Sequence, residues 1–227
     1  MALQDAHTKA KRFFEDLWSQ GDPWLLESSA YEDRRYQQLM ESINDKRYDK
    51  ILEIGCGAGA FTRRLAEIGN YILAIDISET AIDRARTICA TSGVTIDFRV
   101  ANVMEYDFAA DEPFDLVVMT ETIYYLGWLY SFFDVGWLAH RLFQATQQDG
   151  RILISNTQNT SDDYLIRPWV IRTYHDLFAN VGFNLEFERI YTDTKDDSKF
   201  DVLISLFRKG ADIAPPTGEH SVQRHLI

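Results

Sequence analysis

The chain has 227 residues, of which 46% are apolar and 13% aromatic, and its formal net charge is −12. That length fits one large domain, and that apolar share excludes a disordered chain, a collagen-like chain and a disulfide miniprotein. So acidic a surface would repel a phosphate backbone, which puts nucleic acid low among partners. No run of about 18 apolar residues occurs, so no membrane partner is expected. The N-terminus lacks the basic-then-apolar order of a secretion signal. Two cysteines, Cys56 and Cys89, fit a reducing, cytoplasmic setting without a disulfide framework.

In chain order, Ala6, Ala10, Phe13, Phe14, Leu17 and Trp18 recur at helical spacing. The break Gly21-Asp22-Pro23 follows, and Tyr36, Leu39, Met40 and Ile43 mark a second helix from about Tyr31. Both precede the first strand and read as a cap over residues 1–48. From Lys50 the pattern alternates. Strands are expected at Lys50–Ile54, Tyr71–Ile75, Thr95–Val100, Phe114–Met119 and Arg151–Ser155. Helices are expected around Phe61–Ile68 and Ala81–Cys89, and a long one over Trp128–Gln147. Alternation of this kind implies a mostly parallel sheet with helices on both faces. After a helix near Tyr174–Asn180 come two β-rich stretches, Leu185–Thr192 and Phe200–Phe207. The gap between them is too short for a helix, so they should form an antiparallel hairpin. Residues 49–209 then make the core, and 210–227 read as a loose tail.

The densest signal is LEIGCGAGAF, Leu52 to Phe61. A buried strand runs into Gly55, Gly57 and Gly59, which permit a sharp turn and a close ligand approach. The helix expected next would add a positive N-terminal dipole. Asp76 ends the following strand, where a carboxylate can accept both hydroxyls of a ribose. Gly55, Gly57 and Ala60 also satisfy a dinucleotide fingerprint. Against that reading, Glu53 sits two residues before the first glycine, where it would repel a pyrophosphate but suit an ammonium group. The chain is also short for a nicotinamide half plus a substrate domain. No Gly-Lys-Ser/Thr follows, so a P-loop fails as well.

These residues, with FDLVVMTE at Phe114–Glu121, resemble the class I S-adenosylmethionine-dependent methyltransferases. The resemblance implies an α/β, doubly wound, seven-stranded sheet with the last strand inserted antiparallel. It implies S-adenosyl-L-methionine as cofactor, with the glycine loop against its amino-acid part and Asp76 on its ribose. The implied cofactor set is Glu53, Gly55, Cys56, Gly57, Gly59, Asp76, Ile77, Asn102, Val103 and Thr120. The family often has Asp where this chain has Asn102; an amide oxygen still accepts from the adenine amino group. A narrower resemblance rests on Asp22-Pro23-Trp24, YEDRRYQQLM, LEIGCGAGAFT and FDLVVMTETIYYL. These phrases are similar to nodulation protein S methyltransferases, which N-methylate the free amine of a de-N-acetylated chitooligosaccharide. The expected partner is thus a small-molecule or oligosaccharide acceptor, with O-methylation of a similar acceptor as the nearest rival and a non-catalytic S-adenosylmethionine-binding protein as a further alternative. The sequence carries no signal for oligomeric state.

Methyl transfer is an in-line displacement, so the protein must chiefly position and desolvate the reactants. An amine must also lose a proton, which an acid or phenol can take. The residues after the fourth strand lie at the carboxyl edge of the sheet, where such ligands bind. Glu121 is the preferred proton acceptor or orienter, or else a structural or cofactor-contacting carboxylate. Tyr124 and Tyr125 could wall the transfer site, with Tyr125 the preferred catalytic candidate. His175 is either a base suited to O-methylation or a satisfied helix residue. His140 reads as structural. Trp24, Trp128 and Trp169 could stack on a sugar ring or pack as lid and core. Arg34 and Arg35 either reach a cofactor carboxylate or lie on a solvated face. No cluster has metal-ligand spacing, so no metal is expected.

Overall fold

A computed structural model describes residues 3–159, 163–195 and 198–210. Two helices, α1 (Leu3–Ser19) and α2 (Ala30–Ile43), precede the sheet. Then come β1 (Tyr48–Ile54), α3 (Thr62–Leu65), β2 (Gly69–Asp76), α4 (Glu79–Ile88), β3 (Thr95–Val100) and β4 (Phe114–Thr120). The chain continues through α5 (Ile123–Leu129), α6 (Phe132–Ala145), β5 (Thr146–Gln158), α7 (Pro168–Asn180), β6 (Phe183–Lys195) and β7 (Ser198–Lys209).

The strands form one seven-stranded sheet in the order β3-β2-β1-β4-β5-β7-β6. The first five are parallel neighbours; β7 is antiparallel to both β5 and β6. The doubly wound, mostly parallel sheet with a C-terminal hairpin is as the sequence implied. Alternate strand residues feed opposite cores. Leu52, Ile54, Val117 and Met119 pack beneath α5, α6 and α7, whereas Ile51, Leu116 and Val118 pack beneath α2, α3 and α4. Ile54 pairs with Met119 where the chain switches from winding one way to the other. That crevice is the ligand-binding point of an open α/β sheet.

Several elements differ from their sequence-derived outlines. The helix expected after the glycine loop is only four residues long, Thr62–Leu65, so it brings no sizeable dipole. The long helix expected over Trp128–Gln147 is two. Tyr130 is extended, and Ser131 starts α6 with a capping box in which its side chain and that of Asp134 exchange hydrogen bonds with the backbone. The hairpin strands run further than expected, so the tip, with Thr194 opposite Lys199, projects beyond the C-terminal edge of the parallel strands. It meets α2 and the loop before α2 there. Of the expected tail only Gly210 is described; 211–227 lie outside the described residues. Among the described residues, no helix is long and apolar enough to cross a membrane.

Candidate functional site

One cavity of about 380 Å³ opens at this crevice, within the usual range for small-ligand sites. It brings together Glu53, Gly55, Cys56, Gly57, Asp76, Ile77, Asn102, Val103, Thr120, Glu121 and Tyr125. Gly59 and His175 are not among its lining residues.

The glycine loop is a turn built for close packing within the protein. Gly55 and Gly57 have φ of +74° and +52°, a left-handed conformation that side chains resist. A Cβ on Gly55 would collide with the Thr122 side chain, and one on Gly57 would lie 2.9 Å from a Trp18 ring carbon. The close approach that the glycines permit at these two positions is therefore to Thr122 and Trp18.

Asp76 clasps this loop. One carboxylate oxygen accepts the Gly57 N–H and the other the Ser78 N–H, each at 2.9 Å. Glu53 lies beneath, 3% exposed, accepting the Thr62 hydroxyl at 2.5 Å. Burial pushes its carboxyl up to about 8, the Thr62 hydrogen bond opposing and the nearby Asp76 adding to the shift. Burial also raises Asp76 and pushes the Cys56 thiol well above its usual range, so Cys56 is no nucleophile.

Glu121 follows β4 at φ +51°. Its carboxylate accepts the Thr157 N–H at 2.9 Å and the Tyr124 hydroxyl at 3.2 Å. It also meets the Arg35 guanidinium at 3.2 Å. Burial raises its pKa, and Arg35 opposes that. Arg35 is only 2% exposed, which overturns the solvated-face option for it. It pairs with Glu32 as well, at 2.7 Å. Arg34 remains half-exposed and forms a fork on Asp193 in the hairpin, at 2.7 and 3.1 Å. The aromatic end of the cavity holds Trp24, Tyr31, Tyr124, Tyr125 and Phe200. The Tyr31 hydroxyl is buried there beside Thr157.

Other candidates lie elsewhere. His175 is fully buried between Ser205 and Asn156, at 2.8 and 3.0 Å. Burial depresses its pKa to about 3, with Arg172 adding to the shift. It is a core histidine with both ring nitrogens engaged, and its placement is against a role as base at the cavity. Trp128 and Trp169 are 41% and 59% exposed and outside the cavity; His140 stacks beside Trp137.

Sequence reasoning missed Trp18, Glu32 and Lys195, which all line the cavity. Trp18 belongs to the apolar face of α1, a signal of burial but not of its place over the loop. Glu32 and Arg35 interrupt the apolar stripe of Tyr31, Tyr36 and Leu39 on α2, a charged pair on a buried face that could have been noticed. Lys195 donates to the Trp24 carbonyl at 3.0 Å and approaches Glu32 at 3.4 Å; nothing local announces either contact.

Residues 6–158 match the family model of nodulation protein S (NodS), more than half of the chain. The chain belongs to the NodS family. It is 38% identical over 110 residues to nodulation protein S of Bradyrhizobium diazoefficiens, a stretch covering 46% of this chain and 49% of that one. It thus spans about half the length of the curated relatives it matches. A ubiquinone biosynthesis O-methyltransferase of Rickettsia conorii is 27% identical over 164 residues, 69% of this chain and 54% of that one. In fold, the chain is similar to the N-methyltransferase NodS from Bradyrhizobium japonicum WM9 solved with S-adenosyl-L-homocysteine. The TM-score is 0.72 at 24% identity, over 88% of this chain and 98% of that one.

Proposed function

We propose that this NodS-family chain is an S-adenosylmethionine-dependent methyltransferase that N-methylates an amine on a sugar, oligosaccharide or other small metabolite. The observation that carries the reading is one cavity reaching from Asp76 and Asn102, past the glycine loop, to Glu121, Tyr124 and Tyr125. The residues fit the cofactor. Each Asp76 oxygen holds one backbone N–H and retains acceptor capacity for a ribose hydroxyl. Glu53, held protonated by burial up to about 8, would give up that proton beside the cofactor's ammonium group, which favours its charged form. Residues 1–48 act in this reading as a cap over the core of 49–209.

When bound, the cofactor supplies a methyl group already activated on a sulfonium sulfur. The chain's part is to desolvate and align the acceptor and to manage one proton. Trp18 and Trp24 exclude water above the loop. Tyr124 and Tyr125, with ring centroids 4.5 Å apart, wall the transfer end. Glu121, held by Arg35 and Thr157, is the carboxylate placed to accept or orient the amine proton, and its raised pKa brings it closer to the range of a useful base. Two free, buried thiols support a reducing compartment, and we place the activity in the cytoplasm.

The deciding experiment incubates the protein with S-adenosylmethionine and a chitooligosaccharide carrying one free amine, or its fully N-acetylated counterpart. S-adenosylhomocysteine release and a methyl mass increase on the free-amine compound alone support N-methylation. Methylation of the acetylated compound would replace it with the hydroxyl reading.

A further inference from the structure

Asn102 follows β3 and lines the cavity, and its amide has one workable orientation. Oδ1 accepts the Met104 backbone N–H at 3.0 Å; the flipped amide would set two donors against each other. Nδ2 therefore lies 2.8 Å from Nδ1 of His7 and 2.8 Å from the Tyr130 hydroxyl. His7 Nδ1 and the Tyr130 hydroxyl are 3.1 Å apart, closing a triangle between α1, the end of α5 and the loop after β3. Both partners are 7% exposed. Nε2 of His7 faces the Glu105 carboxylate at 3.2 Å. A carboxylate accepts, so Nε2 carries the hydrogen, and in the neutral ring Nδ1 is left as an acceptor. Both amide hydrogens of Asn102 point into this triangle, where the Tyr130 oxygen accepts one and the single Nδ1 lone pair is shared by the other and the Tyr130 O–H, while Oδ1 keeps a lone pair. Toward a ligand, Asn102 can act only as an acceptor.

We infer that His7 and Tyr130 are positioning residues that lock Asn102 with its acceptor toward the cavity, so that the site selects a purine bearing an exocyclic amino group over one bearing a carbonyl there. A carbonyl would set two acceptors face to face and leave both unpaired, the situation in which polar sites discriminate most strongly. The inference rests on the adenosyl-cofactor reading above.

The test is titration calorimetry of the full chain with S-adenosylhomocysteine and its deaminated analogue, S-inosylhomocysteine. The wild type should bind the adenosyl compound at least about 10-fold more tightly, the scale of one mismatched buried hydrogen bond. His7→Leu and Tyr130→Phe should each lose about 5- to 15-fold for the adenosyl compound, and under about 2-fold for the inosyl one. His7→Asn, whose side-chain oxygen can stand in for Nδ1, should recover most of the loss. Equal losses for both compounds, or a wild type indifferent between them, would overturn the lock. Tyr130→Phe keeps the ring and carries the comparison if His7→Leu fails to fold. A wild type that binds neither compound overturns the cofactor reading itself, a result distinct from binding without discrimination.

Discussion

Arg35 of α2 lies 3.2 Å from Glu121, the residue that follows β4, so a helix preceding the sheet is bonded directly to the aromatic end of the cavity. Arg35 is simultaneously held by Glu32, and Lys195 from the hairpin approaches the same Glu32. The four charges alternate in sign and join α2, the end of β4 and the hairpin.

Removing one member of a buried pair leaves its partner uncompensated. Glu121→Gln should therefore destabilise the fold by about 3 kcal/mol in chemical denaturation. It should also lower turnover by about 10²–10⁴-fold, the usual contribution of a proton acceptor. Cleavage between Phe13 and Ile43 by a limiting dose of protease should become faster. A variant as stable and protease-resistant as wild type would show that the pair does not hold the cap.

Asp76→Ala removes the acceptor for both Gly57 and Ser78 amides along with the proposed ribose contacts. S-adenosylhomocysteine affinity should weaken by about 2–4 kcal/mol, the size of two charge-assisted hydrogen bonds. Unchanged affinity by calorimetry would take Asp76 out of the ribose role.

Glu53 makes stability depend on pH. Its usual carboxyl value is 4.5, and burial raises it to about 8 in the folded chain. Between those values the folded state keeps a proton that the unfolded chain has released. Stability from this group is complete below 4.5 and is lost as pH rises through about 8. Glu53→Gln stays neutral throughout and should gain on wild type as pH rises across that window, read from melting temperatures. A constant difference between the two proteins would mean that Glu53 does not carry the shift.

His175 has the opposite sign. Its pKa falls from 6.5 to about 3 on folding, so its contribution is complete above 6.5 and is lost as pH falls toward about 3. His175→Ala strands the buried Ser205 and Asn156 groups and should cost about 1–3 kcal/mol. The folded variant should keep S-adenosylhomocysteine affinity and turnover per folded molecule. Loss of turnover at full stability would return His175 to the chemistry.

The sheet was readable because β1, β2 and β4 are short apolar runs that end at Gly55, Asp76 and Glu121, and because 193–198 cannot hold a helix. The division between α5 and α6 was harder: apolar periodicity runs straight through Tyr130, and only Ser131 with Asp134 three positions on marks the restart. Asp76, Asn102 and Glu121 were legible because each stands at the carboxyl end of a parallel strand, where this fold class gathers its ligand contacts. Their partners were not. Arg35 meets Glu121 across 86 positions, and His7 meets Asn102 across 95; local spacing holds no trace of such pairings. His175 misled because a histidine on an amphipathic helix looks alike from sequence whether it faces a ligand or a buried serine.

The clasp between α2 and the hairpin tip has a kinetic consequence. Arg34 on Asp193, Lys195 on the Trp24 carbonyl and Arg189 on the Gln38 carbonyl tie α2 and the loop before it to the hairpin, and Trp24 and Lys195 line the cavity. In the proposed reading this tie is a strap that a ligand waits on, once to enter and again to leave. Both rates then fall together, while the ratio that sets affinity is left alone. Salt weakens half-exposed ion pairs by screening. In stopped-flow measurements, raising ionic strength should quicken association and dissociation in parallel, so occupancy at equilibrium stays level while residence time shortens.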